Sequence, residues 1–187
     1  MGWSSITSSG NWTWTYNHIG STTLTRTMLS YKNDNSYPVI INSCYLTLGT
    51  GKGTFDQGDK VTGSGLQYTV YATVSGVDSN TLTVSNIANT SYSGVEKKTF
   101  TFNSPVIVSA GSTVNITFKF TGTGTGCVVI AHGRNNSSYY GGTVSNAQCK
   151  VSYKPNGGSG NGPSDQTANI GGTIQLQSNT FTAPTAA

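Results

Sequence analysis

Charge is scarce in this chain. Asp, Glu, Lys and Arg together make up 9% of its 187 residues, against roughly 25% in an ordinary soluble domain. Six acids and two histidines leave little material for acid–base chemistry, so the sequence reads as that of a protein without enzymatic activity. Asp34, Asp56, Asp59, Asp78, Glu96 and Asp165 fall mostly in loop-like stretches. They support no pair of the kind a glycosidase holds across a cleft. His18 and His132 are far apart in sequence and give no paired-histidine zinc pattern. His132 follows an apolar run and is read as a capped or solvated strand end. Gly-x-Ser-x-Gly is missing, so no serine is marked as a nucleophile. Gly49-Thr50-Gly51-Lys52-Gly53-Thr54 lacks the spacing of a phosphate loop.

Other absences narrow the class further. Three cysteines, Cys44, Cys127 and Cys149, are an odd number and no disulfide framework. They are read as small buried hydrophobes, and a Cys127–Cys149 bond is left open but not expected. Ten basic residues against six acids give a net charge of +4. Lys97-Lys98 is the only adjacent basic pair, and without a concentrated basic stripe no nucleic-acid partner is expected. No apolar run is long enough to cross a membrane as a helix, so no membrane insertion is expected. The opening MGWSSITSSGNWTW has neither the basic region nor the apolar run of a signal peptide. Synthesis in a cytoplasm is the corresponding expectation.

Thr, Ser, Gly and Asn fill the polar positions, and between them apolar residues alternate with a period of two. That period marks strands with one face in a core and one in water. It is clearest at Phe100, Phe102, Val106 and Val108, and again at Val114, Ile116, Phe118 and Phe120. Pro105 lacks a ladder donor and marks an edge or a switch between strands. Leu66, Tyr68, Val70, Ala72 and Val74 form another clean run, followed across a turn by Leu82 and Val84. Leu24 and Met28 point inward from 22–31, and Cys44, Leu46 and Leu48 from 37–49. The unbroken CVVIA at 127–131 suits a strand buried on both faces. Cys149, Val151 and Tyr153 give the last strand of the series. No sustained 3.6-residue period is present. About eight strands spaced by turn signals predict an all-β, antiparallel β-sandwich with extended terminal arms.

Three regions follow from composition: an aromatic lead-in at 1–20, the sandwich at 21–154, and a Gly-rich linker and arm at 155–187. Trp12, Trp14 and Tyr16 alternate with threonines. Their rings either pack on a core or edge, the reading favoured by ring size, or form a platform that stacks on sugars. Residues 49–65 read as one long loop. Within it Asp56 and Asp59 are weak candidates for a structural Ca²⁺, though both are ordinary loop residues, and no cofactor is expected. PNGGSGNGP at 155–163 reads as a flexible linker. Beyond it Ile170, Ile174, Leu176 and Phe181 are the large apolar anchors. Thr173–Gln177 is predicted to add as a strand to a sheet, on the same chain or, the favoured reading, on a neighbouring subunit.

FTFNSPV at 100–106, VSAGST at 108–113 and ITF at 116–118 together resemble a phrase of jelly-roll β-sandwich domains. Such domains occur in carbohydrate-binding modules and in bacteriophage tail, fibre and head-decoration proteins. The resemblance is confined to that stretch, and no sugar-binding residues carry over from it. It implies a non-enzymatic structural or receptor-contacting protein of a phage particle, made in the host cytoplasm and residing in the virion. Its implied partners are other virion subunits, in a homo-oligomer, and a host-surface glycan. The alternative is a carbohydrate-binding module or glycan-binding adhesin domain, with Trp12, Trp14, Tyr16, Tyr139 and Tyr140 as ring-stackers.

Overall fold

A computed structural model of the chain describes residues 2–5, 13–17, 23–51, 53–54, 60–61, 67–88, 94–123, 127–131 and 139–184. Side chains are described for all of these except 13–17, 51, 53–54, 60–61, 88, 123 and 127–131. The described residues hold strands and no helix. In chain order the strands are β1 (Trp3–Ser5), β2 (Thr13–Asn17), β3 (Thr23–Lys32), β4 (Val39–Gly51), β5 (Gly53–Thr54), β6 (Lys60–Val61), β7 (Gln67–Val74) and β8 (Val77–Asp78). There follow β9 (Leu82–Val84), β10 (Ile87–Ala88), β11 (Glu96–Val108), β12 (Thr113–Thr123), β13 (Cys127–Ala131), β14 (Tyr140–Asn146), β15 (Gln148–Val151) and β16 (Gln166–Asn169).

Two sheets face each other. The first runs β1-β3-β12-β7-β8, with β9 also on β7. The second is built on β4, with β11 and β10 along one side, β14 and β13 along the other, and β2 beyond β13. All pairings are antiparallel except the two-residue contact of β10 with β4. The chain is therefore the all-β sandwich its alternation predicts.

The alternation is what places the core. Along β7 the odd positions face water, while Tyr68, Val70, Ala72 and Val74 are buried. Phe100, Phe102, Ile116 and Phe118 are buried and Val114 packs against them, all inward as expected. Phe118 of the first sheet meets Phe100 of the second edge-on, with ring centroids 5.2 Å apart. Tyr68 meets Phe120 in the same way at 5.9 Å, and its hydroxyl donates to the Gly49 carbonyl at 3.0 Å. Each such ring contributes roughly 1.5–3 kcal/mol by leaving water. Left-handed backbone at Ser75 and Gly76 closes the β7–β8 turn, as a two-residue hairpin requires.

Threonine explains how so few charges suffice. Thr23, Thr121, Thr69 and Thr83 lie side by side across four strands of the first sheet. Thr23 and Thr121 share a hydrogen bond of 3.2 Å, and Thr27 and Thr117 one of 2.8 Å. Lys119 lies over the Tyr71 ring between these rows, 5.5 Å from its centroid. The outer face is thus polar mainly through hydroxyl groups, with Lys119 as the charge between these rows.

Residues 96–108 form one strand with Pro105 in a bulge. Among the described residues β11 pairs in its sheet with β4 alone, so of the two readings of Pro105 the edge position holds. Pairing stops at Thr101–Ser43 and resumes at Val106–Ile41, so Phe102–Pro105 oppose Asn42 alone. The bulge absorbs the missing proline donor and frees Phe102 to bridge to Ser79 of the first sheet's edge. The stretch 49–65 is not one loop: β4 continues through Gly51, and β5 pairs with β6. The lead-in takes the edge role favoured for it, with β1 joining the first sheet and β2 the second. Finally, β15 leaves the sandwich and pairs with β16 in a small sheet of its own.

A candidate binding cleft in the C-terminal segment

The glycine-rich stretch after Lys154 is positioned residue by residue. Ala147 ties it to the sandwich: its N–H donates to the Pro38 carbonyl at 3.1 Å, and its carbonyl accepts from Ile170 N at 2.8 Å. β15 and β16 then pair, braced by Lys150–Asp165 at 2.5 Å and by the Gln148 amide donating to Asn169 Oδ1 at 3.0 Å. Left-handed backbone at Asn156 and Gly157 turns the chain after Pro155, and Gly158 N closes that turn on the Pro155 carbonyl at 2.9 Å. Ser159 and Thr182 exchange two backbone bonds of 3.0 and 2.8 Å. A Cβ at Gly158 would strike the Thr182 carbonyl, and one at Gly162 the Phe181 ring. These glycines permit close approach, so the linker expected here is a folded strap.

The predicted strand at 173–177 is corrected to 166–169, in cis. Tyr153 supplies part of the reason. Its hydroxyl bonds to Gln166 Oε1 and accepts from Gln177 N at 2.9 Å, taking the donor that a sheet neighbour at 177 would have used. Gln166 Nε2 likewise holds the Gln175 carbonyl at 3.2 Å. Ile170 and Leu176 remain 41% and 63% exposed.

The fold of this strap leaves a cleft of about 430 Å³. Its apolar walls are the half-buried rings of Tyr153 and Phe181 with Pro155, Pro163 and Pro184. Lys154, Gln177, Asn179 and Thr182 add polar groups. Asn179 Oδ1 accepts from Phe181 N at 2.9 Å, which fixes the amide with its NH₂ left over. A smaller groove of about 300 Å³ lies at the β11 bulge, between Ile40, Asn42, Phe102 and Pro105.

The residues singled out from sequence fall elsewhere. Trp12, Asp56, Asp59, His18 and His132 lie outside the described residues. Trp14 and Tyr16 pair with Ile130 and Val128 of β13 and share one face of β2; their side chains are not described. Tyr140 is only 8% exposed and Tyr139 packs against the same core, so Tyr140 serves the sandwich interior and not a surface platform. Sequence reasoning used Tyr153 as a strand residue and Phe181 as an anchor, and missed that they face a common cleft. The available signal was the three prolines bracketing the two rings.

Reactive groups are sparse here. Among the described residues no three His, Cys, Asp or Glu side chains gather to hold a metal. Cys44 is fully buried, and desolvation pushes its thiol well above the ordinary range. Cys149 is exposed with a free thiol, so it is not bonded to Cys127. Asp165 is held below the usual carboxylate range, first by its hydrogen bond from Lys150 and then by one from Ser152.

No family model and no curated protein matches the chain. Among solved structures it is similar to one described as the structure of infectious bursal disease virus Gx strain, at 11% identity and a TM-score of 0.29. The match covers 72% of this chain and 32% of that one. This chain therefore spans about a third of that neighbour's length, and a likeness this distant carries no argument about function.

Proposed function

We propose that this chain is a non-enzymatic structural protein of a bacteriophage particle, in tail, fibre or head decoration, that assembles into a homo-oligomer through its sandwich faces and C-terminal strap. The observation that carries this reading is the apolar exposure of the strap. Ile170 and Leu176 stand 41% and 63% exposed on a segment that hydrogen bonds already hold in place. Covering such side chains stabilises a contact by roughly 1.5–3 kcal/mol each when burial is complete. The ordering cost that weakens most flexible arms is largely met within the chain. An outer face made largely of threonines, with Lys119 laid over the Tyr71 ring, leaves little charge to bury when subunits approach.

The test is oligomeric state by sedimentation of the full chain, wild type against Leu176→Asp and Ile170→Asp. Both side chains are exposed, so the variants keep the sandwich fold while losing assembly. A chain that is monomeric at high concentration, or one whose assembly ignores both substitutions, contradicts the proposal. Hydrolysis of a polysaccharide by the pure protein, abolished by changing one of the six acids, contradicts the non-enzymatic part.

A further inference from the structure

We propose that the cleft between Tyr153 and Phe181 binds a saccharide bearing an anionic group, a carboxylate or a phosphate. The two rings and the three prolines give rigid apolar walls, the surface on which the C–H face of a sugar ring packs. Hydroxyl groups both donate and accept, and the polar lining matches that. The Gln177 side-chain amide and the Asn179 NH₂ have no hydrogen-bond partner among the described residues. One offers a donor and an acceptor, the other two donors. Among the described residues Lys154 is the only charged one in the lining, and its ammonium likewise forms no ion pair with them. Among the described residues no acid lines the cleft to offset it, so an anionic substituent is favoured there.

The site is preformed. Tyr153 is pinned through its hydroxyl to Gln166 and Gln177, and Phe181 lies against Gly162. Binding then loses little side-chain freedom, and a volume of about 430 Å³ falls within the range of ligand pockets. A proline-rich peptide is the competing occupant of an aromatic groove. Its prolines bring carbonyls but no N–H donors, which leaves the Gln177 carbonyl without a partner. The cleft lies outside 97–120 and shares no residue with the aromatic platform considered from sequence. The inference is independent of any role in a particle.

The experiment uses the full chain on a printed array of neutral, carboxylated and phosphorylated glycans, with decaproline as the peptide probe. Calorimetric titration with the best glycan and its neutral parent follows. The expected result is at least tenfold tighter binding of the acidic glycan than of its parent, the array deciding between carboxylate and phosphate. Gln177→Ala and Phe181→Ala each weaken binding at least tenfold. Lys154→Gln removes the acidic preference and leaves affinity for the neutral parent. The Gln177 amide and Lys154 make no described contact, so those two variants stay folded even if Phe181→Ala does not. The absence of any glycan binding overturns the proposal. So does binding untouched by Gln177→Ala and Lys154→Gln, or capture of decaproline in place of glycan. Ile170→Asp, which dissociates the proposed assembly and lies away from the cleft lining, leaves glycan binding intact, so the two proposals fail separately.

Discussion

Asn33 is the most informative single position in the sandwich. It is fully buried, and its amide NH₂ reaches the carbonyls of Tyr37, Val108 and Ser109 at 2.9, 3.0 and 3.1 Å. Its Oδ1 accepts from Asn35 N at 3.1 Å and Asn35 Nδ2 at 2.9 Å. Its backbone bonds to Ser112 and Gly111. One side chain thus fastens the β3–β4 connection to the β11–β12 turn. In Asn33→Ala the buried Val108 carbonyl loses its donor, at about 1–3 kcal/mol. The partly buried Tyr37 and Ser109 carbonyls add about 0.5–1.5 kcal/mol, since water reaches them in part. The Asn35 donors are rehydrated at little cost. The sum is about 1.5–4.5 kcal/mol, or roughly 3–18 °C in Tm for a chain of this size. Asn33→Asp sharpens the test. Three carbonyls and burial raise the folded pKa of the new carboxyl above its unfolded value of about 3.9. The unfolded state then ionises first, so stability falls as pH rises from about 4 through the raised value. Urea denaturation at pH 4 and pH 7 reads both effects. A loss below about 1 kcal/mol for Asn33→Ala, within the usual surface range, refutes the reasoning. So does an Asn33→Asp protein that is no weaker at pH 7 than at pH 4.

Phe118→Ala, at a fully buried ring stacked edge-on against Phe100, loses about 3–5 kcal/mol in chemical denaturation; a loss under about 1 kcal/mol removes it from the core. Native-state maleimide labelling mapped by mass spectrometry modifies exposed Cys149 and spares Cys44, which burial keeps neutral; rapid labelling of Cys44 contradicts its placement. The lowered pKa of Asp165 means that its hold on Lys150 is present above the ordinary carboxylate value and is lost as pH falls below about 4. Amide protection at Gln166–Asn169 therefore drops in that window and becomes pH-independent there in Asp165→Asn; an unchanged profile in the variant assigns the effect to another group.

What was legible in the sequence was parity, and parity fails where the register shifts. Phe100, Phe102, Val114, Ile116 and Phe118 are readable as inward because two-residue alternation needs no knowledge of a partner strand. Met28 and Leu29 are both buried because pairing slips between Ile116 and Thr117. Ile41 and Cys44, three apart, both face the core because β4 is irregular opposite the bulge. No pattern within one strand announces either slip, since each is set by the neighbour. The strap is hidden in the sequence for another reason. Its glycines look like freedom when composition is all that is seen, but Gly158 and Gly162 are there because a carbonyl and a ring lie where a side chain would be. Its order comes from single hydrogen bonds between residues such as Tyr153 and Gln177, which leave no periodic trace.

The strand order also bears on how the protein comes into being. β4 (Val39–Gly51) pairs along one side with β14 (Tyr140–Asn146), and β3 (Thr23–Lys32) with β12 (Thr113–Thr123). At about 5–20 residues per second of synthesis, close to 100 residues and therefore roughly 5–20 s separate the emergence of β4 from that of β14. Through that interval the centre of the second sheet carries an unpaired edge, with few charged residues nearby to keep another chain off it. Folding is thus held back until the chain is almost complete, and nascent copies made close together on one message are exposed to pairing with each other. Slower synthesis at low temperature lengthens the wait, whereas wider spacing of ribosomes along the message reduces the encounters.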